Sequence, residues 1–362
     1  MKNIYKVSLL ILITMMVWSN AQAQYATTKV KSKHHLYTDS LKQVEYNYLL
    51  PVWGQGAYSQ GFDIPYPMGI MGNFFWTNQA LLINNLQLGY HGKNVDAELQ
   101  PIVDDNGVEI LGFGDNFNES YSVNVRPDVW VFPFLNVYGI FGYGHSHTEV
   151  NINRLGDREF DFTSVVDQGI RTAGFGVMAA GGIGPVWFSA DFNFTWNKPE
   201  LTENATRVNV MGIRMGHTFV FKRKPERNIA LWVGTMGIKM QTDTYGSVTM
   251  KDALPDDIWD RRDEIVGDYR DWYDNEATLG QKIIADKILT PIMDGLEARN
   301  GDGIVDYGIE KQVKDRWNML IGAQFQYNKH WMLRSEIGFL GSRESFLLSL
   351  NYRFLGFKKK SK

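Results

Sequence analysis

The sequence predicts an all-β fold: a single antiparallel transmembrane β-barrel of about ten strands, with twelve as the alternative count, and a partly helical extracellular insert. Three observations lead there. The chain closes on a long period-two strand. Its connections alternate between short and long. It opens with an export segment, and no later apolar run is long enough for a spanning helix.

The closing strand is residues 343–357, R-E-S-F-L-L-S-L-N-Y-R-F-L-G-F. Phe346, Leu348, Leu350, Tyr352 and Phe354 make one apolar row. Ser345, Ser349, Asn351 and Arg353 make the opposite row, with Leu347 as its one apolar member. Alternation at period two defines a strand with one apolar face. About ten residues suffice to cross a bilayer at a tilt. The stretch resembles the final strand of Gram-negative outer-membrane barrels, which usually ends in an aromatic. Here a basic tail, residues 358–362, follows it.

The first residues carry the marks of a cleaved signal peptide over 1–23. Lys2 and Lys6 precede the apolar run 7–18, and Ala21-Gln22-Ala23 supplies the small-x-small cleavage site. Without a spanning helix, a membrane location requires a closed barrel, because lipid cannot satisfy an open strand edge. The chain has no cysteine, which excludes disulfides and thiolate metal sites. A net charge of −3 gives no global field for nucleic acid.

Residues 24–68 read as a periplasmic lead-in. His34-His35 sits within it, without a third ligand at useful spacing. The barrel is expected over 69–357, with strands at 69–83, 119–131, 135–149, 169–182, 185–196, 206–221, 228–241, 315–327, 330–340 and the closing stretch. In 119–131, Pro127 is expected to mark a bulge. Residues 84–118 alternate poorly and could hold two more strands. Counting back from the C-terminus, turns near 328–329, 222–227, 182–184 and 132–134 are short. Of the opposite connections, 151–168, 197–205 and 242–314 are long. Outer-membrane barrels have short periplasmic turns and longer outer loops. The insert 242–314 has helical apolar spacing at Leu279, Ile283, Ile284, Ile288 and Leu289, and Pro291 should kink or divide that run.

The segment R-W-N-M-L-I-G-A-Q-F-Q-Y-N-K-H-W-M-L-R-S-E-I-G-F-L-G-S-R, with P-F-L-N-V-Y-G-I-F-G earlier, resembles an uncharacterised family of exported outer-membrane barrel proteins. The resemblance implies a place in the outer membrane, with membrane lipids and the barrel-assembly machinery as partners. It implies no cofactor and no catalytic residues.

If the apolar rows face lipid, a polar network faces the lumen: Asn124, Arg126, Asp128, Asp191, Asn193, Arg334, Glu336 and Arg353, together with Gln324, Gln326 and Asn351. Its charges balance at three basic and three acidic, which suits a salt-bridged core better than an ion-selective pore. His145, His147 and Glu149 share one strand face and are the candidate metal ligands, although same-face neighbours lie about 7 Å apart. The alternative is a polar strand end leaving the bilayer. Asn300 to Asp306 lacks the end ligands of a calcium loop, since Ala298 and Ile309 stand in those places. Trp76, Trp130, Trp187, Trp196, Trp232, Trp317 and Trp331 lie near expected strand ends or within strands, and interface girdles account for most of them. Two function classes follow: a small-solute channel or transporter gated or plugged by 242–314, and a surface-binding or structural barrel with a filled lumen. A hydrolase acting on envelope lipid is a third reading.

Overall fold

The computed structural model describes residues 33–91, 96–103, 107, 109–202, 204–241 and 243–359. The expected signal peptide lies outside the described residues. Ten strands close into an antiparallel barrel. They are β1 (Met68–His91), β4 (Asn116–Phe132), β5 (Leu135–Leu155), β6 (Arg158–Ile183), β7 (Val186–Pro199), β8 (Thr206–Val220), β9 (Asn228–Met240), β12 (Trp317–Gln326), β13 (Trp331–Phe339) and β14 (Arg343–Phe354). Closure runs through β1, which pairs with β14 from Met68↔Phe354 to Gln79↔Arg343 and with β4 from Met68↔Val129 to Leu81↔Asn116.

The period-two rows set the two faces. Ile70, Phe74, Val123, Phe141, Phe175, Phe192, Ile213, Leu231, Ile321, Leu333 and Leu350 are large, apolar and exposed on the outer wall. The alternate positions are polar and mostly buried: Asn73, Asn124, Asp128, Asn193, Arg214, Glu336, Ser349 and Arg353. A soluble protein does not expose so continuous an apolar belt, and a closed barrel leaves no edge for lipid to meet. The protein is a transmembrane β-barrel.

Three strands are far longer than a bilayer needs: β1 has 24 residues, β5 has 21 and β6 has 26. Their excess length projects from the long-loop end and builds a second, extramembrane core. Beyond Ala80, β1 leaves its barrel partners and pairs with β11 (Ile304–Val313) from Leu81↔Val313 to His91↔Ile304. β10 (Asp243–Thr249) extends this sheet through β11, and β2 (Asp96–Pro101) pairs with β1. β3 (Leu111–Phe113) lies on β5.

Helices from the insert cover this sheet: α3 (Met250–Ala253), α4 (Asp256–Asp260), α5 (Arg262–Asn275), α6 (Leu279–Ile284) and α7 (Thr290–Glu297), with a π turn at Ala285–Leu289 between the last two. Thr278 caps α6 in a full capping box with Gln281. The π turn sits just before Pro291, which has no N–H and whose ring crowds the preceding turn. The expected division of the helical run therefore takes the form of a widened turn. The core beneath gathers Tyr90, Ile110, Leu155, Ile258, Ile265, Trp272, Ile288 and Leu296.

Several expectations need correction. Residues 151–168 are not a loop; β5 and β6 continue as a hairpin that turns at Gly156-Asp157. Apolar Ile152, Leu155, Phe160 and Phe162 face the outer core there. The segment reads as polar because only one of its faces is buried. The expected count of ten barrel strands stands, and the described residues of 84–118 hold the upper part of β1, two short strands outside the barrel and the start of β4. The insert is partly helical, as expected, and it also carries β10 and β11 of the outer sheet. Pro127 marks no bulge: it pairs with Ile70 in an unbroken register. On its other side the ladder to β5 lapses at Arg126 and Pro127 and resumes at Asp128↔Tyr138 in the same register, as a residue without an N–H requires.

Gly156 ties the two parts together. Its φ is +61°, a left-handed turn position, and an added Cβ would stand 2.6 Å from Nε1 of Trp272 on α5. Trp272 is 1% exposed. Trp272→Ala is expected to cost the outer domain about 3–5 kcal/mol. Limited proteolysis should then cut within residues 242–314, while the barrel still migrates as a folded species in unheated gels.

Candidate functional site: the barrel lumen

The interior is crossed by one connected polar network. Arg214, on β8, donates through Nε to Glu336 Oε2 at 2.6 Å and through an Nη to Glu336 Oε1 at 2.9 Å. Its other Nη bonds Asp191 on β7. Glu336, on β13, also accepts from Trp232 Nε1 at 2.8 Å and from Arg334 at 3.0 Å. The Arg334 guanidinium lies 4.9 Å from the Trp232 ring centroid. On the other side, Asn193 donates to Asp191 at 3.1 Å, and Tyr138 donates to Asn193 at 2.7 Å. Arg126 stands 5.7 Å over the Tyr138 ring and donates to Asn124 at 3.1 Å. Asn73 on β1 joins Asn124 at 2.8 Å.

Small residues on the wall make room for these large ones. Gly322 on β12 faces inward, and an added Cβ would fall 2.3 Å from the Trp232 ring. The ring thus lies flat against backbone, with its N–H aimed at Glu336.

Both ends of the lumen are occupied. Toward the long-loop end, Arg343 is 1% exposed and donates to Met236 O at 2.8 Å and Asn318 Oδ1 at 2.7 Å. Toward the short-turn end, Arg353 pairs with Asp128 at 2.8 Å, and Asn136 donates to the same carboxylate. The lead-in then folds across that mouth with α1 (Lys33–Leu41) and α2 (Gly54–Ser59). Tyr66 O accepts from Arg353, Lys329 meets Asp63 at 2.8 Å, and Tyr37 donates to Asp63 at 3.0 Å. Burial chiefly pushes the Tyr37 phenol up to about 12. For Lys329, burial opposes the charge, but Asp63 beside it prevails and holds the amine above its ordinary value.

Between these closures remains a cavity of about 550 Å³. Its lining comes from the barrel wall, the turns and the lead-in, and includes no residue of the insert.

The structure brings all eight sequence-predicted lumen residues to the interior and links them as above, in two groups joined to neighbours the sequence reading did not single out. Arg214, Trp232, Tyr138 and Arg343 were missed. Arg214 is a lone charge between same-face Gly212 and Gly216, a weak signal in a strand whose two rows are both largely apolar. Its inclusion with Arg343 changes the charge count: the interior is not balanced but basic. Trp130, Trp187 and Trp232 also depart from the girdle expectation. Trp232 is buried, Trp187 packs 5.9 Å from it, and Trp130 lines the cavity.

His145, His147 and Glu149 lie on the outer wall, in the same row as exposed Phe141 and Tyr143. His145 stacks on Tyr121 at 5.8 Å. His147 meets Asp167 through Nδ1 at 2.9 Å and Glu149 through Nε2 at 3.7 Å. These contacts use opposite ring nitrogens, so they do not converge on one point, and no three-residue metal cluster occurs among the described residues. Side chains of His34 and His35 lie outside the described residues. Asp306, which falls on β11, meets His91 at 2.7 Å and Ser247 at 2.5 Å.

No family model matches the chain, and no curated protein matches it. Among solved structures it is similar to the β domain of the Bordetella autotransporter BrkA, at 10% identity, covering 80% of this chain and 100% of that one, with a TM-score of 0.35. It is similar to the translocator domain of the autotransporter NalP from Neisseria meningitidis, at 8% identity, 94% and 98% coverage and a TM-score of 0.30. The Ralstonia pickettii toluene transporter TbuX matches at 9% identity, 80% and 90% coverage and a TM-score of 0.27. None of these likenesses bears on what this barrel does.

Two outcomes are expected here. Glu336→Gln leaves the Arg214 fork with a poorer acceptor in a closed interior and should cost about 3–5 kcal/mol in urea unfolding of the refolded barrel. At the outer rim, the hydrogen bond to Asp167 holds the His147 pKa above 6.5. That pairing is fully present below the unfolded value and lost as pH rises through the raised one. Asp167→Asn should bring the His147 titration, followed by NMR, back toward 6.5.

Proposed function

We propose that the protein is an outer-membrane barrel that is closed to ions and serves as the membrane anchor of its extramembrane domain. The observation that carries this reading is the Arg214 fork. It spans from β8 to Asp191 on the neighbouring β7 and to Glu336 on β13, three places round the wall, and so bridges inside the lumen over β9 and β12. The Arg343 layer and the folded lead-in support the same reading at the two ends. By the usual orientation, the short turns face the periplasm and the domain built on β1, β5, β6 and the insert faces outward. The apolar outer belt and the export segment support the location.

Gating of a small-solute channel by residues 242–314 has less in its favour. The insert spends its apolar face on the hairpins beyond the membrane, and the cavity below has no lining from it. Planar-bilayer recording of the refolded protein tests the proposal. The intact chain should be silent, and so should a variant lacking residues 242–314 whose barrel still shows heat-modifiable migration. A steady current from the intact chain would falsify the closed reading. A current only after deletion would restore the insert as a plug.

A further inference from the structure

The cavity has an unanswered charge. Five cations line it: Arg126, Arg214, Lys329, Arg334 and Arg353. Four carboxylates line it: Asp63, Asp128, Asp191 and Glu336. The pairings are settled by distance. Arg353 takes Asp128, Lys329 takes Asp63, and Arg214 and Arg334 share Glu336, with Asp191 also on Arg214. Arg126 is left. Its contacts are the Asn124 amide oxygen and the Tyr138 ring face, and no carboxylate meets it among the described residues. Arg334 also has an Nε that is buried without an acceptor. A guanidinium in a closed interior needs a counter-charge or full hydrogen bonding, because burying an uncompensated charge is costly.

The rest of the lining gives the character of what could supply it. Met71, Phe75, Ile140, Met178, Met332 and Leu347 present apolar surface to the same space. A volume of about 550 Å³ exceeds the needs of a single water or a bare inorganic ion.

We propose that the lumen cavity is a binding site for an amphipathic monocarboxylate, its carboxylate held by the Arg126 guanidinium, and its apolar body among the methionines and Phe75. One negative charge matches the surplus of one. Guanidinium suits a carboxylate through paired N–H donors, and the low dielectric of the lumen strengthens the contact. Entry is from the short-turn mouth, where the Tyr37–Asp63–Lys329 contacts fasten the lead-in over the cavity. The site is compatible with a barrel closed to ions, so its test is independent of conductance.

The probe is 3-phenylpropionate, added to refolded full-length protein in a non-ionic detergent, with binding read by equilibrium dialysis. Two comparison compounds separate the contributions: 3-phenylpropanol has the body without the charge, and propionate has the charge without the body. Saturable binding of one equivalent of 3-phenylpropionate is expected, with both comparison compounds at least tenfold weaker. Arg126→Met should weaken binding about tenfold or more. Arg126→Lys keeps the charge but not the fork, and should fall between the two. Lys239→Met, on the outer wall, should bind like the unaltered protein. Absence of saturable binding would mean the cavity holds water only and would overturn the proposal. Equal binding of the alcohol, or a folded Arg126→Met with unchanged affinity, would overturn it too.

Discussion

The barrel depends on one buried guanidinium. Arg214 can be charged inside a lumen only because three strands bring groups to it: Asp191 from the adjacent β7, Glu336 from β13, and Trp232 from the adjacent β9 completing the Glu336 shell. Such a cluster is weak evidence of net stability, since desolvating the ions opposes their attraction. Its sharper consequence is register. Each of these strands could slip only by two residues without turning its apolar row inward. A slip of two would carry Asp191 or Glu336 past Arg214 and leave a charge unpaired. The network therefore selects one register among those that the alternation alone allows.

The small wall residues serve the same arrangement. A ten-stranded barrel leaves little room inside, and Trp232 fits because Gly322 has no side chain opposite it. With the ring seated there, its N–H reaches Glu336, and its face lies under Arg334. Packing and charge compensation are thus one problem in this lumen. Widening the wall side chain at 322 would displace the ring, and through it a donor to the carboxylate.

Much of this was legible in the sequence, and what was not has a physical reason. The two rows of the closing strand were legible because they differ sharply in polarity, although the strand ends at Phe354 and Arg343 at its start was not singled out. The same holds for β7, where Phe188, Phe192 and Trp196 alternate with Asp191 and Asn193. In β8 the inward row is Val208, Val210, Gly212, Arg214 and Gly216, and the outward row holds Arg207 and Asn209 beside Met211, Ile213 and Met215. Neither row is polar enough to name the lumen side, so Arg214 was lost, and with it the centre of the network. The extended hairpin of β5 and β6 was hidden differently. Above the membrane, its buried face meets helices instead of lipid, and Asn151, Asn153 and Asp161 on the other face look like loop. Pairing across a chain's distant parts, such as β1 with β11, has no local signature at all.

The switch of partners along β1 explains why the insert is attached where it is. Below Ala80 this strand belongs to the barrel, between β4 and β14. Above it, the same strand belongs to the outer sheet with β11. Ala80 itself bonds both sides of the change, donating to Ser342 O and accepting from Lys314 N. The strand runs on through the change, and its ladder to β11 shifts register once, between Asn84 and Gln87. The outer domain is therefore built on strands of the wall itself, and Trp272 fastens its helices to the β5–β6 hairpin at Gly156. Nothing in that connection requires the lumen to open. The three longest strands thus run on past the barrel at its long-loop end, and there they carry the second core.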